Sequence, residues 1–266
     1  MAIDPSATIH PSALVEDGAE IGPGATVGPF SVIGPKVRLG PDVVVKSHAV
    51  VTGLTEIGEG TVIFPFANIG DIPQDLKYRG EETRLIVGKR NRIREAVTMN
   101  TGTEGGGGIT RVGDDCLFMT GSHVGHDVQV GNGVIVANHA AFAGHCIIGD
   151  NVVIGGLAGI HQWVRIGQGA IIGALTMVTN DVIPFGLVQG PRGVLDGLNL
   201  VGLKRRGVAR EDIAALRAAF QHLAEGEGTF HERARHLAET ADSGYVRQMV
   251  EFVLADTDRS FLTPKP

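Results

Sequence analysis

The sequence predicts a mainly β protein, a parallel β-helix of about ten coils followed by a C-terminal α-helical domain. Aliphatic residues recur at every sixth position from Ile3 to Ile69, and the spacing returns from Val112 to Val178 without a miss. The chain contains 39 glycines, far above ordinary usage, and many directly follow the periodic aliphatic residues. Beyond about Arg192 the apolar residues change to helical spacing.

A period of six matches neither the 3.6-residue helix nor the alternation of an ordinary strand. It fits a parallel β-helix in which each hexapeptide forms one side of a triangular prism and about eighteen residues complete a coil. The aliphatic residue then points inward, and we expect glycine or asparagine to support the turns between sides. The prism is predicted over residues 1–191 and the helical domain over residues 192–266.

Two stretches interrupt the spacing and are predicted to be loops extruded from the prism. Residues 71–84 carry seven charges and lack aliphatic residues at the expected positions. Residues 101–110 include the four successive glycines from Gly105 to Gly108, which indicate a mobile excursion that orders on binding. Because long loops on rigid scaffolds often carry function, we expect the first loop to contribute to a site.

Three helices are predicted in the C-terminal domain. The first covers about 209–225 and ends at Gly226 and Gly228. The second covers 229–241, with Thr229 as its N-cap and Glu232 completing a capping box. The third covers about 245–254. Together they are expected to cover the open end of the prism, where the last coil would leave strand edges unpaired.

The second periodic run contains five of the ten histidines: His123, His126, His139, His145 and His161. Residues eighteen apart stack on successive coils, which predicts one column containing His126, Gly144 and Gln162. His145 and His161 flank that column, and His123 falls on the adjoining side, whereas His139 falls on a different one. None of the five occupies the inward position. Such a cluster can bind metal, perform acid–base chemistry or bind polar substrate groups.

The residues around His126 favour acyl transfer. Asp127 follows it directly, and an adjacent carboxylate can fix an imidazole tautomer and raise its basicity. Gly144 leaves a backbone N–H unshielded, which suits an oxyanion donor. The column contains no serine or cysteine, so direct attack by a substrate hydroxyl is favoured over a covalent acyl-enzyme. His126, Asp127 and Gly144 are therefore the predicted catalytic groups.

The chain also resembles a known family, the UDP-N-acetylglucosamine O-acyltransferases that begin lipid A synthesis. The resemblance covers nearly the whole chain, and it lies in residues 74–78 (Gln-Asp-Leu-Lys-Tyr), 91–95 (Asn-Arg-Ile-Arg-Glu), 105–107 (Gly-Gly-Gly), 123–127 (His-Val-Gly-His-Asp), 143–145 (Ala-Gly-His), 161–162 (His-Gln) and 202–207 (Gly-Leu-Lys-Arg-Arg-Gly). It implies a left-handed coil, whereas the general crossover rule would favour a right-handed one.

The resemblance implies transfer of an (R)-3-hydroxyacyl chain from acyl carrier protein to the glucosamine 3-hydroxyl of UDP-N-acetylglucosamine. His126 would be the base, Asp127 its orienting group and the Gly144 amide the oxyanion donor. The residues implied to bind substrate are Gln74, Asp75, Lys77, His123, His145, His161, Gln162, Asn199 and Arg205. The family is similar in forming homotrimers with shared sites, which would put loop 71–84 over a partner's histidines.

Two positions depart from the family's pattern. Val201 stands where an acidic nucleotide contact is expected, so uracil or ribose recognition differs. The resemblance implies that Ala174, Ile171 and Arg192 measure acyl length. Glycine at position 174 would allow a long chain and a bulky residue only a short one, so alanine predicts a medium-to-long chain.

Three alternatives stay open. The N-acyltransferase of the same pathway resembles this chain less, since it has an N-terminal uridine-binding domain and the hexads here start at Ile3. A γ-type carbonic anhydrase-like enzyme would use His123, His126 and His145 as zinc ligands. A non-catalytic trimeric scaffold would need none of the histidines.

Charge and residue content limit the classes of binding partner and the cellular location that the sequence predicts. A net charge of −6 gives no reason to expect nucleic-acid binding, although residues 204–206 form a basic patch suited to phosphate and an acidic carrier protein. Cys116 and Cys146 are too few for a disulfide framework.

We find no basic-then-apolar leader and no apolar run long enough to span a membrane, so a cytoplasmic protein without stable membrane insertion is expected. No metal or other cofactor is predicted.

Overall fold

The computed structural model describes residues 2–225 and 227–264, and these form a parallel β-helix followed by four α-helices. In chain order the strands are β1 Ala2–Ile3, β2 Thr8–Ile9, β3 Leu14–Val15, β4 Glu20–Ile21, β5 Thr26–Val27, β6 Val32–Ile33, β7 Arg38–Leu39, β8 Val44–Val45, β9 Val50–Val51, β10 Leu54–Ile57, β11 Val62–Ile63, β12 Asn68–Asp71, β13 Arg84–Val87, β14 Arg92–Ile93, β15 Thr98–Asn100, β16 Ile109–Val112, β17 Leu117–Phe118, β18 His123–Val124, β19 Gln129–Val130, β20 Ile135–Val136, β21 Ala141–Phe142, β22 Ile147–Ile148, β23 Val153–Ile154, β24 Gly159–Ile160, β25 Arg165–Ile166, β26 Ile171–Ile172, β27 Met177–Val178, β28 Gly186–Gln189 and β29 Val194–Leu198.

Successive strands are distributed in rotation among three sheets. The first sheet runs from β1 to β25 and the third from β3 to β27, and the second runs from β2 to β26 and continues into β28 and β29. Ile3 pairs with Ile21 and Val27 with Val45, so one regular coil takes eighteen residues. The predicted fold class, a mainly β coil with helices after it, is confirmed.

The core consists of two inward positions in each hexapeptide. The periodic aliphatic residues such as Ile33 and Ile63 are fully buried, as predicted. The residue two positions earlier in each hexapeptide, such as Ala25 or Val43, is also buried in most coils. Small side chains suit this second position because the triangular interior is narrow.

The prediction that glycine or asparagine supports the turns between the sides of the prism is wrong at most corners. The left-handed turn residue lies three positions after the inward aliphatic residue, and non-glycine residues such as Phe30, Asp127 and Trp163 adopt it with φ of 58°, 59° and 70°. Most glycines that directly follow the aliphatic residue have ordinary φ values, and Gly70, beside the start of the first excursion, is an exception with a φ of 86°. A Cβ on Gly22 would lie 2.8 Å from the Leu39 carbonyl oxygen of the next coil. Close stacking of coils, rather than turn conformation, requires these glycines.

Two excursions leave the prism at one edge. Leu54 pairs with Arg84 thirty residues later, so the coil that begins at β10 is enlarged between β12 and β13, where loop 71–84 was predicted. The second lies between β15 and β16 and contains a 3-10 turn, Glu104–Gly106. Ile109 and Thr110 already belong to β16, so this excursion ends earlier than the predicted range 101–110.

Four helices follow the last coil: α1 Leu200–Arg205, α2 Arg210–Glu225, α3 Phe230–Thr240 and α4 Gly244–Leu254. The last three match the predicted helices, and Thr229 and Glu232 form the predicted capping box. Of the two glycines expected to end α2, Gly228 has a φ of 80°, and Gly226 lies outside the described residues. The short α1 was not predicted.

The C-terminal segment attaches to the last coils through strand pairing and ion pairs. β28 pairs with β26, and β28 and β29 form an antiparallel hairpin that spans the predicted domain boundary between 191 and 192. The carboxylate of Asp181 is fully buried between Arg165 Nε at 2.6 Å and Arg259 Nε at 2.8 Å. These contacts fix the tail beside the coils that carry the histidines.

Candidate active site

The candidate site lies at the edge where the third sheet turns into the first. His123 pairs with Ala141 and Ala141 with Gly159, so the turns after these strands stack. This register confirms the predicted column of His126, Gly144 and Gln162. A Cβ on Gly144 would lie 2.5 Å from His126 Nε2, so the imidazole packs directly on the glycine.

His126 and Asp127 form a hydrogen-bonded pair. His126 Nδ1 lies 2.8 Å from Asp127 Oδ2, and the two side chains are 14 % and 1 % exposed. A carboxylate only accepts hydrogen bonds, so Nδ1 carries the proton and Nε2 has a free lone pair. Nε2 lies 4.0 Å from the nearest oxygen of Asp75. This arrangement can remove a proton from a group bound between them.

The second excursion holds Asp127 in place, which the sequence did not predict. The backbone N–H of Thr103 donates to Oδ1 at 2.8 Å, and its hydroxyl donates to Oδ2 at 2.6 Å. The Asp127 N–H in turn donates to the Thr110 hydroxyl at 2.7 Å. A carboxylate with this many donors keeps one orientation. The glycine-rich stretch is therefore packed against the site rather than a free excursion.

His145 lies beside this pair and stacks on Trp163. The imidazole and indole planes are 7° apart, with centroids separated by 3.7 Å. Burial lowers the pKa of His145 below its usual value, and the neighbouring Asp127 partly opposes that shift. Trp163 was not predicted as a site residue, although it follows His145 by eighteen residues.

The first excursion covers the histidines of its own chain. Asp75, Lys77, Thr103, His145 and Trp163 help to line a cavity of about 240 Å³. The Lys77 backbone N–H donates to Asp75 at 2.9 Å, and that hydrogen bond lowers the pKa of Asp75. The expectation that this loop covers a partner's histidines is therefore corrected, because the short tip of the loop reaches His126 within one chain.

The Gly144 amide is available to a ligand. Among the backbone hydrogen bonds of the described residues, none has the Gly144 N–H as its donor. The N–H at this turn position is not needed for hydrogen bonding between coils. Proline has no N–H, and it occupies the same position at Pro5, Pro11, Pro23, Pro29, Pro35, Pro41 and Pro65. An N–H at this position therefore points away from the strand ladder, and glycine leaves it open.

Other predicted ligands lie near the column but face outward. His123 Nδ1 lies 2.7 Å from the Thr98 hydroxyl, and burial lowers the pKa of His123. His161 and Gln162 are exposed on the following coil, and Gln74 is exposed on the first excursion. Their roles as substrate ligands stay predictions.

The remaining predicted residues are not brought to the histidines within one chain. Asn199 caps α1, accepting from the Gly202 N–H and donating to the Gly169 carbonyl oxygen, each at 2.9 Å. Arg205 is exposed at the end of that helix. Ala174 and Ile171 lie at the edge between the second and third sheets, and Arg192 bridges to Met177 there. Their nucleotide-binding and chain-measuring roles also stay predictions.

Three side chains could together hold a metal ion. Ligand atoms of His126, Asp127 and His145 lie within 4.8 Å of one another. The Nδ1 atom of His126 is, however, engaged by Asp127. The γ-type carbonic anhydrase-like alternative needs His123 as a third histidine ligand, and His123 instead contacts Thr98.

The repeated coils match those of the hexapeptide-repeat transferases. Residues 18–53, 109–144 and 145–180 match the family described as bacterial transferase hexapeptide, and residues 181–262 match domain 2 of UDP-N-acetylglucosamine O-acyltransferase. An acyl-[acyl-carrier-protein]–UDP-N-acetylglucosamine O-acyltransferase of Paracoccus denitrificans is 64 % identical over 205 residues, 77 % of this chain and 78 % of the relative. The chain belongs to the UDP-N-acetylglucosamine O-acyltransferase family and is an O-acyltransferase.

Further relatives agree with this assignment. The Rhizobium johnstonii protein of the same name is 48 % identical over 224 residues, 84 % of this chain and 82 % of that protein. The structure of UDP-N-acetylglucosamine acyltransferase from Campylobacter jejuni superposes with a TM-score of 0.91 at 37 % identity, covering 97 % of this chain and all of the other. Within the described residues, no helix has the length and hydrophobicity needed to cross a bilayer.

Proposed function

We propose that the protein transfers an (R)-3-hydroxyacyl chain from acyl carrier protein to the 3-hydroxyl of the glucosamine ring in UDP-N-acetylglucosamine, the first step of lipid A synthesis. The observation that carries this proposal is the His126–Asp127 pair, 2.8 Å apart, packed against an open Gly144 amide. An acyl-transfer assay with UDP-N-acetylglucosamine and a panel of 3-hydroxyacyl carrier proteins tests it. No transfer with any chain length would contradict it.

The reaction proceeds by direct attack. His126 Nε2 accepts the proton of the sugar hydroxyl as its oxygen bonds to the thioester carbonyl carbon. The Gly144 N–H donates to the resulting oxyanion. When the tetrahedral intermediate collapses, the carbon–sulfur bond breaks and the imidazolium returns its proton to the carrier thiolate. Asp127 stabilises the imidazolium throughout and does not itself take the proton.

A covalent acyl-enzyme is not part of this mechanism. Cys146, the cysteine nearest to the column, is buried, and burial raises the pKa of its thiol to about 12. Burial likewise raises the pKa of Cys116 to about 11. Because the thiolate is the nucleophile, neither side chain is activated for acylation. Offering a 3-amino sugar nucleotide in the same assay tests whether it is accepted in place of the 3-hydroxyl one.

The substrate ligands of this proposal are the residues that the family resemblance implies, and three of them, Asp75, Lys77 and His145, line the cavity. Asp75, Lys77 and Gln74 on the first excursion, with His123, His145, His161 and Gln162 on the coils, bind the sugar, the phosphates and the acyl pantetheine region. Asn199 and Arg205 contact the nucleotide, and the exposed basic residues at 204–206 attract the acidic carrier protein. The protein acts in the cytoplasm without a metal cofactor. Stoichiometric zinc in the purified protein would instead favour the metalloenzyme alternative.

The molecule acts as a homotrimer. Phe30, Phe66, Leu157 and Leu175 are 60–66 % exposed and follow the edge between the second and third sheets. The histidines follow a different edge, between the third sheet and the first. Contact between two different edges is heterologous, and it closes into a ring of three when the rotation between neighbouring copies is 120°. Each site would then combine one chain's histidines with the partner's acyl-length residues.

Replacing Ala174 should shift the preferred chain length. We expect Ala174→Gly to raise activity with longer 3-hydroxyacyl chains relative to shorter ones, because removal of a methyl group deepens the apolar groove. One methylene in such a groove changes selectivity by about tenfold or more. Rates across the carrier-protein panel measure this, and an unchanged length preference would refute a measuring role for Ala174.

Removing the Thr103 hydroxyl should weaken catalysis without unfolding the chain. Thr103→Val removes the donor that lies 2.6 Å from Asp127 Oδ2, and hydrogen bonds to charged groups contribute about 1.5–3 kcal/mol. We expect kcat to fall about tenfold or more, because the less constrained carboxylate orients His126 less well. Thr101→Val is the matched control, since Thr101 lies in the same excursion and accepts from Thr83 instead. Equal kcat in the two variants would argue against this role.

A further inference from the structure

The His145 ring is held by aromatic contacts. Among the described residues its side chain makes no hydrogen bond, and the neighbouring carboxylate oxygen, Asp127 Oδ2, is 3.6 Å from Nδ1. That oxygen already accepts from His126 and Thr103. The indole of Trp163 lies parallel to the imidazole at 3.7 Å, and the His126 ring meets it edge-on at 4.8 Å.

The stack is closer than the coil register alone imposes. His48 occupies the same turn position as His145 and lies between Phe30 and Phe66, each one coil away. Those rings are 5.0 Å and 5.3 Å from His48 and tilted by 35° and 31°. At His145 the separation falls to 3.7 Å and the tilt to 7°. Full face-to-face contact therefore distinguishes the Trp163 pair from the other aromatic neighbours on the prism.

We propose that Trp163 is a positioning residue that fixes the plane of the His145 imidazole. Rotation about the last side-chain torsion of histidine is otherwise broad. The stack fixes the plane of the ring, and in that plane Nδ1 lies 3.6 Å from Asp127 Oδ2. His145 lines the cavity beneath the first excursion, so the fixed ring presents a defined polar edge to the substrate. The catalytic consequence rests on the proposed acyl transfer.

Paired substitutions separate positioning from mere stability. Trp163→Leu removes the aromatic face, and we expect kcat/KM to fall about tenfold. Trp163→Phe retains an aromatic face and should stay within about threefold of wild type. The Tm of the two variants should agree. Full kcat/KM in Trp163→Leu, or an equal loss in both variants, would overturn the proposal.

A second measurement is independent of activity, because Trp163 is the single tryptophan of the chain. A protonated imidazole in contact with indole quenches its emission, so wild-type fluorescence should fall as pH drops through the lowered pKa of His145. His145→Gln should remove this step and His10→Gln should keep it. Persistence of the step in His145→Gln would overturn the proposal even if wild type transferred no acyl chain. The titratable and charged groups around the stack are His126, Asp127, Asp75, Lys77, Glu81, Glu104, Arg165, Asp258 and Arg259.

Discussion

Substitution of His126 by alanine is expected to lower kcat for acyl transfer by about 10²- to 10⁴-fold, the usual contribution of a general base. The physical reason is that the Asp127 carboxylate fixes the proton on Nδ1 and leaves Nε2 as the basic atom facing Asp75 across 4.0 Å. KM should change little, because the substrate ligands on the first excursion remain. Single-turnover rates with wild type and His126→Ala measure the effect.

Two controls make this experiment specific to a base. His10→Ala removes an exposed histidine from the first coil and should leave the rate unchanged. Added imidazole should restore part of the rate to His126→Ala, because the truncated side chain leaves room for a free base beside Gly144. A His126→Ala rate within threefold of wild type would refute His126 as the general base.

Periodicity made much of this site predictable. A spacing of six defines which residues point inward, and eighteen residues per coil define which ones stack. Those two rules placed His126, Gly144 and Gln162 in one column without further information, and the strand register agrees. The hand of the coil could not be predicted from the spacing, because periodicity contains no chirality. The general rule for crossovers favours a right-handed coil, so the left-handed expectation came from the family resemblance alone.

Contacts made by the excursions could not be predicted in the same way. Thr103 holds Asp127 across 24 positions of sequence, and Asp75 reaches His126 from an even longer distance along the chain. Insertions have no period, so nothing in the spacing says where a loop returns to the prism. Trp163 was not predicted as a site residue for a different reason. An aromatic residue at a turn of the prism is ordinarily interpreted as an exposed surface residue. Its spacing of eighteen from His145 was the available signal.

The structure assigns Gly144 a steric role in addition to that of its amide. The sequence suggested only an unshielded N–H, which many glycines would supply. In the structure the His126 ring occupies the space that a side chain at position 144 would fill. The proposed base and the proposed oxyanion donor are therefore packed against each other, and we expect a change at one to displace the other.

Gly144→Ala is accordingly expected to lower kcat by about 10²-fold, the usual cost of displacing a catalytic group by roughly an ångström. The new Cβ would lie 2.5 Å from Nε2 and 3.0 Å from Nδ1 of His126, so the ring must leave its place on Asp127. Gly144 is outside the left-handed region and alanine keeps the N–H, so the fold and the donor both survive. Tm should stay close to that of wild type. Gly197→Ala is the matched control, since a Cβ there meets nothing within 4 Å.

A double-mutant cycle tests whether the loss in Gly144→Ala passes through the imidazole. If displacement of His126 is the cause, adding Gly144→Ala to His126→Ala should lower kcat no further, because the ring that the methyl group displaces is already gone. If the methyl group instead blocks the oxyanion or the acyl chain, the two losses should multiply. Multiplication would separate Gly144 from His126 and leave the glycine as an oxyanion donor alone.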